Sequence, residues 1–145
     1  MKIRLRTVTF LRDEAQQDYG MASGPEGAVE ICRSILKTLD ADREHAIVLT
    51  LNIRNRVTGF KVCHTGSGDR SVMAPEVIFR DALALGAARI IFAHNHPSGD
   101  PSPSAEDVES TRRLKRAGEI VGIPLLDGLV IGHESAVSMR ERGLI

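Results

Sequence analysis

Residues 88–107 restrict the possible folds of this chain more than any other stretch. An apolar run from Ala88 to Ala93 ends in His94-Asn95-His96, passes into a Pro/Gly loop and restarts at Ser104 as a helical pattern. In a strand, successive side chains alternate between faces, so two histidines two residues apart leave the same face. Gly99 and the prolines at 97, 101 and 103 then force a turn-rich loop. Ser104 stands three residues before Asp107, the spacing of a helix N-cap with an acid in the first turn, where the positive end of the helix favours the ionised carboxylate. Two imidazoles and one carboxylate converging on a divalent ion leave the fourth tetrahedral position of zinc open, which is the arrangement of a catalytic rather than a closed structural site. The candidate metal ligands are therefore His94, His96 and Asp107, with one Zn2+ per chain.

Composition narrows the function classes. A chain of 145 residues that is 42% hydrophobic is one domain, large enough to bury a core without staples. Lys plus Arg and Asp plus Glu are 19 each, for a net charge of zero, which argues against broad attraction to nucleic acid. The basic run Arg112-Arg113-Leu114-Lys115-Arg116 lacks interleaved aromatics and reads as a solvated helix surface. Cys32 and Cys63 form no CxxC pair, so neither a thiolate zinc site nor a disulfide framework is implied. No apolar segment follows the charged start, and no stretch approaches the ~20 apolar residues of a membrane span, so the expectation is a cytoplasmic protein with no membrane partner.

Along the chain, residues 2–10 alternate polar and apolar and suggest an edge strand, followed by a flexible polar stretch; residues 1–24 form an arm and residues 25–145 the domain proper. The spacing of Val29, Ile31, Cys32, Ile35 and Leu36 predicts a helix over residues 26–39. A buried strand over 44–53, a turn within 52–56 and a returning strand over 57–65 make a hairpin. Pro75 opens a helix through Leu85 with Gly86 as its stop. A strand over 88–94, a helix from Ser104 to about Gly118, a strand over 123–132 and a short strand over 135–139 complete the chain. Interleaved helices and strands around a mixed sheet place the fold in the α/β or α+β class.

Hydrolysis at such a metal needs a carboxylate within hydrogen-bond reach of the attacking water. Glu44 stands at the entrance of the buried strand, where an acid has no packing reason to be and would be partly desolvated. Glu76, the rival, follows Pro75 at a helix N-terminus, where an acid in the first turn is sufficiently explained by the helix dipole.

Glu44, then His94-Asn95-His96, seven residues, and Ser104-Ala105-Glu106-Asp107 together resemble the RadC-type branch of the JAB/MPN metalloprotein domains. The string from His94 to Ser104 is characteristic of that branch, and residues 51–57 and 123–132 fit its other strands. The resemblance implies a JAB/MPN-type, cytidine-deaminase-like mixed sheet flanked by helices and one zinc ion held by His94, His96 and Asp107. It further implies Glu44 as the proton acceptor and Ser104 as hydrogen-bond donor to the oxyanion, in a metallopeptidase or isopeptidase acting on a peptide or ubiquitin-like protein tail. The sequence departs from the branch at Asp127-Gly128, where an Asp-His pair is common and Asp127 remains as an outer partner, and at Pro75-Glu76-Val77, where a Pro-Arg-Glu run is usual. The competing readings are a non-catalytic JAB scaffold or partner module, and a DNA-repair-associated protein as the family label invokes. The letters HNH carry no nuclease argument, because in ββα-metal nucleases those residues are dispersed, and the PCxxC half of a zinc deaminase signature is absent.

Overall fold

The computed structural model describes residues 18–64 and 74–145, so the strand expected over residues 2–10 lies outside the described part. The elements are α1 (Gly24–Leu36), β1 (His45–Leu51), β2 (Val57–His64), α2 (Pro75–Ala84), β3 (Arg89–Asn95), α3 (Ala105–Val121), β4 (Leu125–Ile131) and β5 (Ala136–Ser138). They form a five-stranded mixed sheet in the order β2-β1-β3-β4-β5, with β3 and β4 parallel and every other pair antiparallel.

Period-two alternation sorts the sheet's side chains onto two helical layers. Ile47, Leu49, Leu51, Ile91, Ala93, Leu129 and Ile131 pack with Ala28, Cys32 and Ile35 of α1. Ala46, Val48, Ile90 and Phe92 pack on the other side with Ile78, Phe79 and Ala82 of α2 and Leu114 of α3. Every residue of β1 is buried, because a central strand covered on both faces has no solvent side. The expected hairpin is present: Asn52 Oδ1 accepts from the N–H groups of Arg54 and Arg56, and Asn55 takes the left-handed conformation at φ 59° that asparagine tolerates.

Two helix ends differ from expectation for identifiable reasons. Residues 37–39 leave α1 for a turn in which the Thr38 hydroxyl donates to Ile35 O, so the helix stops three residues short of the apolar pattern. Conversely, α3 runs past Gly118 to Val121. Gly118 is a packing residue, since a Cβ there would sit 2.6 Å from Ile123 O, and the stop is Gly122, left-handed at φ 78°. Cys32 and Cys63 are free and buried. Among the described residues no helix is long and apolar enough to cross a membrane.

Candidate metal centre

The carboxyl ends of the interior strands β3 and β4 and the amino end of α3 meet at one end of the sheet. His94 pairs with Ala46 across β1 and shares the α2/α3 face with Phe92; His96 lies two residues on, just past the strand. The loop that follows is folded back tightly. Gly99 is left-handed at φ 86°, His133 N–H donates to its carbonyl at 3.1 Å, and a Cβ on Gly132 would fall 2.2 Å from that same oxygen. Arg33 of α1 secures the far side of this crossing by donating to Gly132 O, His133 O and Ser135 O. The loop thereby delivers Ser104 and Asp107 opposite the histidines.

His94 Nε2 and His96 Nε2 are 3.1 Å apart, His94 Nε2 is 3.4 Å from Asp107 Oδ1, and His96 Nε2 is 3.3 Å from Asp107 Oδ2. A tetrahedral zinc with nitrogen and oxygen bonds of ~2.0–2.1 Å has ligand-to-ligand edges of about 3.3–3.4 Å. Each histidine faces a different Asp107 oxygen at about that spacing and the two rings stand slightly closer, so the three side chains surround one position of the size a metal ion needs. Tautomer chemistry agrees. His96 Nδ1 lies 2.8 Å from Asp100 O, which can only accept, so in the neutral ring Nδ1 carries the proton and Nε2 presents its lone pair to the centre. His94 is buried, with Nδ1 lacking a hydrogen-bond partner among the described residues, and its ring is flanked by Phe92 and His96 at centroid distances of 6.0 and 5.0 Å.

Asp107 is aimed by a capping box: Ser104 N–H donates to Asp107 Oδ2 at 2.8 Å, and Asp107 N–H donates to Ser104 Oγ at 3.1 Å. Burial pushes its carboxyl up, but the His94 ring beside it, the Ser104 backbone N–H and the Ser104 hydroxyl outweigh that and hold it well below the usual carboxylate range.

Glu44 precedes β1 on the side of Ala46, the same face as His94, and its carboxylate and the ring nitrogens of His94 and His96 all lie within 4.8 Å of one another. It is exposed rather than partly desolvated as expected, because β1 begins only at His45. Glu76 is an exposed acid in the first turn of α2, in keeping with its helix-dipole explanation.

A domain family described as the RadC-like JAB domain matches residues 22–144. The chain belongs to the RadC-like JAB domain family. It is 43% identical over 117 residues to a UPF0758 protein of Desulforamulus reducens, covering 80% of this chain and 52% of that protein. It is 46% identical over 106 residues to a UPF0758 protein of Clostridium beijerinckii (73% and 46%), and 39% identical over 131 residues to the UPF0758 protein YsxA of Bacillus subtilis (90% and 56%). The chain spans about half the length of these curated relatives.

Within this JAB domain, the departure at residue 128 has a packing reason. A Cβ on Gly128 would stand 2.5 Å from Thr111 Cγ2 and 3.3 Å from Met139 Sδ, so α3 occupies the space that a side chain there would need. Asp127 is not an outer partner of the centre. Its carboxylate accepts from Ser138 Oγ at 2.6 Å and Arg140 N–H at 3.1 Å, tying β4 to the segment after it. Local sequence reading missed Arg33 and Asn95, whose contacts come from residues about a hundred and about fifty positions away. The position of Asn95 between two candidate ligands was the available signal.

Proposed function

We propose that this chain is a zinc-dependent hydrolase of peptide or isopeptide bonds, with His94, His96 and Asp107 as the ligands. The observation that carries the reading is the triangle of His94 Nε2, His96 Nε2 and the Asp107 carboxylate at 3.1–3.4 Å, with the Glu44 carboxylate on the same face. Zinc in such a site supplies Lewis acidity and lowers the pKa of a water at its open position. The chain's residues would do the rest. Glu44 accepts the water's proton and returns it to the leaving amine, a role in which one carboxylate serves as base and then acid. Ser104 Oγ accepts from Asp107 N–H through a lone pair, and its own proton, which also helps to stabilise the Asp107 carboxylate, would turn to the developing oxyanion, so capping and catalysis use different parts of one hydroxyl. On the α1 side of His96, a cavity of about 290 Å³ with Leu36, Ala41, Pro97 and Ile131 in its wall offers room for a residue flanking the scissile bond. An extended peptide or ubiquitin-like tail is the substrate class proposed.

The test is zinc content together with cleavage of a panel of fluorogenic peptides and ubiquitin-like fusions, with and without chelator. Purified protein is expected to hold about one zinc per chain, and cleavage should stop on chelation and return with zinc. Glu44→Gln should abolish cleavage and keep the metal. A Glu44→Gln protein that loses zinc would make Glu44 a ligand, and one that cleaves at the wild-type rate would remove the mechanism.

A further inference from the structure

Glu44 lies in the segment before β1, and the pairing of β1 with β3 runs only from Ala46 opposite His94 onward. The next opposed pair by that register is His45 and Asn95. There the side chain of Asn95 takes over from the strand backbone: its Oδ1 accepts from His45 N–H at 2.7 Å and its Nδ2 donates to Arg43 O at 3.0 Å. The assignment of the two amide atoms is forced, because a backbone N–H must meet the oxygen and a backbone carbonyl must meet the NH2. The two bonds grip the backbone on either side of Glu44. The His45 ring adds a third tie, with Nε2 2.8 Å from Asp40 O, closing residues 40–45 into one loop.

From this we infer that Asn95 is the positioning residue for Glu44, the amide that sets the carboxylate over the metal position; the inference rests on Glu44 being the base. Two hydrogen bonds to consecutive flanking groups fix the direction of the chain at residue 44 as well as its place, and catalytic rate is steep in such placement: a misplacement of about 1 Å can cost ~100-fold. Asn95 alternates with His94 and His96, so its side chain points to the α1 face, where it lines the cavity beside His96 without entering the triangle of ligand atoms. The residue between the two histidines therefore serves the base and not the metal.

The experiment uses the zinc-loaded full chain with Asn95→Ala and Asn95→Asp. The aspartate keeps the size of the side chain and the acceptor for His45 N–H while setting an oxygen against Arg43 O, and so serves if the alanine variant does not fold. Both variants are expected to retain about one zinc per chain, and to lose roughly 10- to 100-fold in kcat with KM changed less than about threefold. Two readouts are independent of turnover. Crystal structures should show the Glu44 carboxylate displaced from the zinc, and amide exchange at His45 should accelerate in Asn95→Ala. A merely structural role would lower zinc content and melting temperature together and leave kcat per loaded enzyme unchanged. Glu44 unmoved beside bound zinc in both variants overturns the inference, as does full kcat in both where Glu44→Gln is inactive. Full activity in Glu44→Gln overturns the base assignment itself.

Discussion

Ser104 and Asp107 hold each other by two reciprocal backbone-to-side-chain hydrogen bonds, at 2.8 and 3.1 Å, and the same Asp107 oxygen that accepts from Ser104 N–H lies 3.3 Å from His96 Nε2. Starting the helix and aiming the carboxylate are therefore one structural event. The capping box satisfies two backbone donors that α3 would otherwise leave exposed. It also sets Asp107 with Oδ1 facing His94 and Oδ2 facing His96.

Ser104→Ala separates the capping role of the hydroxyl from the catalytic role proposed for it. Loss of the cap should cost about 1 kcal/mol of stability, lowering Tm by roughly 2–5 °C for a domain of this size. Loss of an oxyanion donor should lower kcat by roughly 100-fold or more, far beyond what the stability change removes at assay temperature. Ser104→Thr keeps an oxygen for both purposes and should restore most of each. Thermal melts and steady-state kinetics on the three proteins decide the matter: a kcat that follows only the small loss of folded protein would reduce Ser104 to a cap.

The parts of this architecture legible in the sequence are those written in local spacing. Short apolar runs marked β1 and β3, helical spacing marked α1, and Ser104 three residues before Asp107 marked the start of α3, because each depends on residues close together in the chain. The end of α3, expected at about Gly118, lies three residues further on for a physical reason. Gly118 and Gly122 are both plausible stops in sequence, and only the contact of Gly118 with Ile123 O tells the packing glycine from the terminating one. The supports of the centre were hidden for a related reason. Arg33 reaches carbonyls at 132, 133 and 135, and Asn95 grips residues 43 and 45, so their roles exist only after the sheet has brought distant segments together.

Gly128→Ala should be poorly tolerated although Gly128 has no unusual backbone conformation. The added methyl meets Thr111 Cγ2 at 2.5 Å, and Thr111 cannot rotate away freely because its hydroxyl donates to Asp107 O at 2.7 Å. Overpacking of this kind costs about 1–3 kcal/mol. Thr111→Ser removes the obstructing methyl and keeps the hydroxyl, so the double variant should be more stable than Gly128→Ala alone. Chemical denaturation of the single and double variants measures the coupling, and strict additivity would mean that the contact between these two residues is not the source of the loss.

Cys32 should make stability fall at alkaline pH. The side chain is fully buried in the α1 face of the core, and burial pushes its thiol up from the ordinary 9.0 to about 12. Below pH 9 the thiol is protonated in both the folded and unfolded states and contributes no pH dependence. Between 9 and about 12 the unfolded thiol gives up its proton while the folded one keeps it, so the unfolded state binds fewer protons and stability falls as pH rises. For this one group the slope approaches about 1.4 kcal/mol per pH unit. Denaturation midpoints for the wild type and Cys32→Ala between pH 8 and 10.5 should diverge in the sense that the wild type loses stability faster, and native Cys32 should resist alkylation at pH 8 until the chain unfolds. Parallel pH profiles for the two proteins, or rapid labelling of the native thiol, would show that this cysteine is not held in its protonated form by the core.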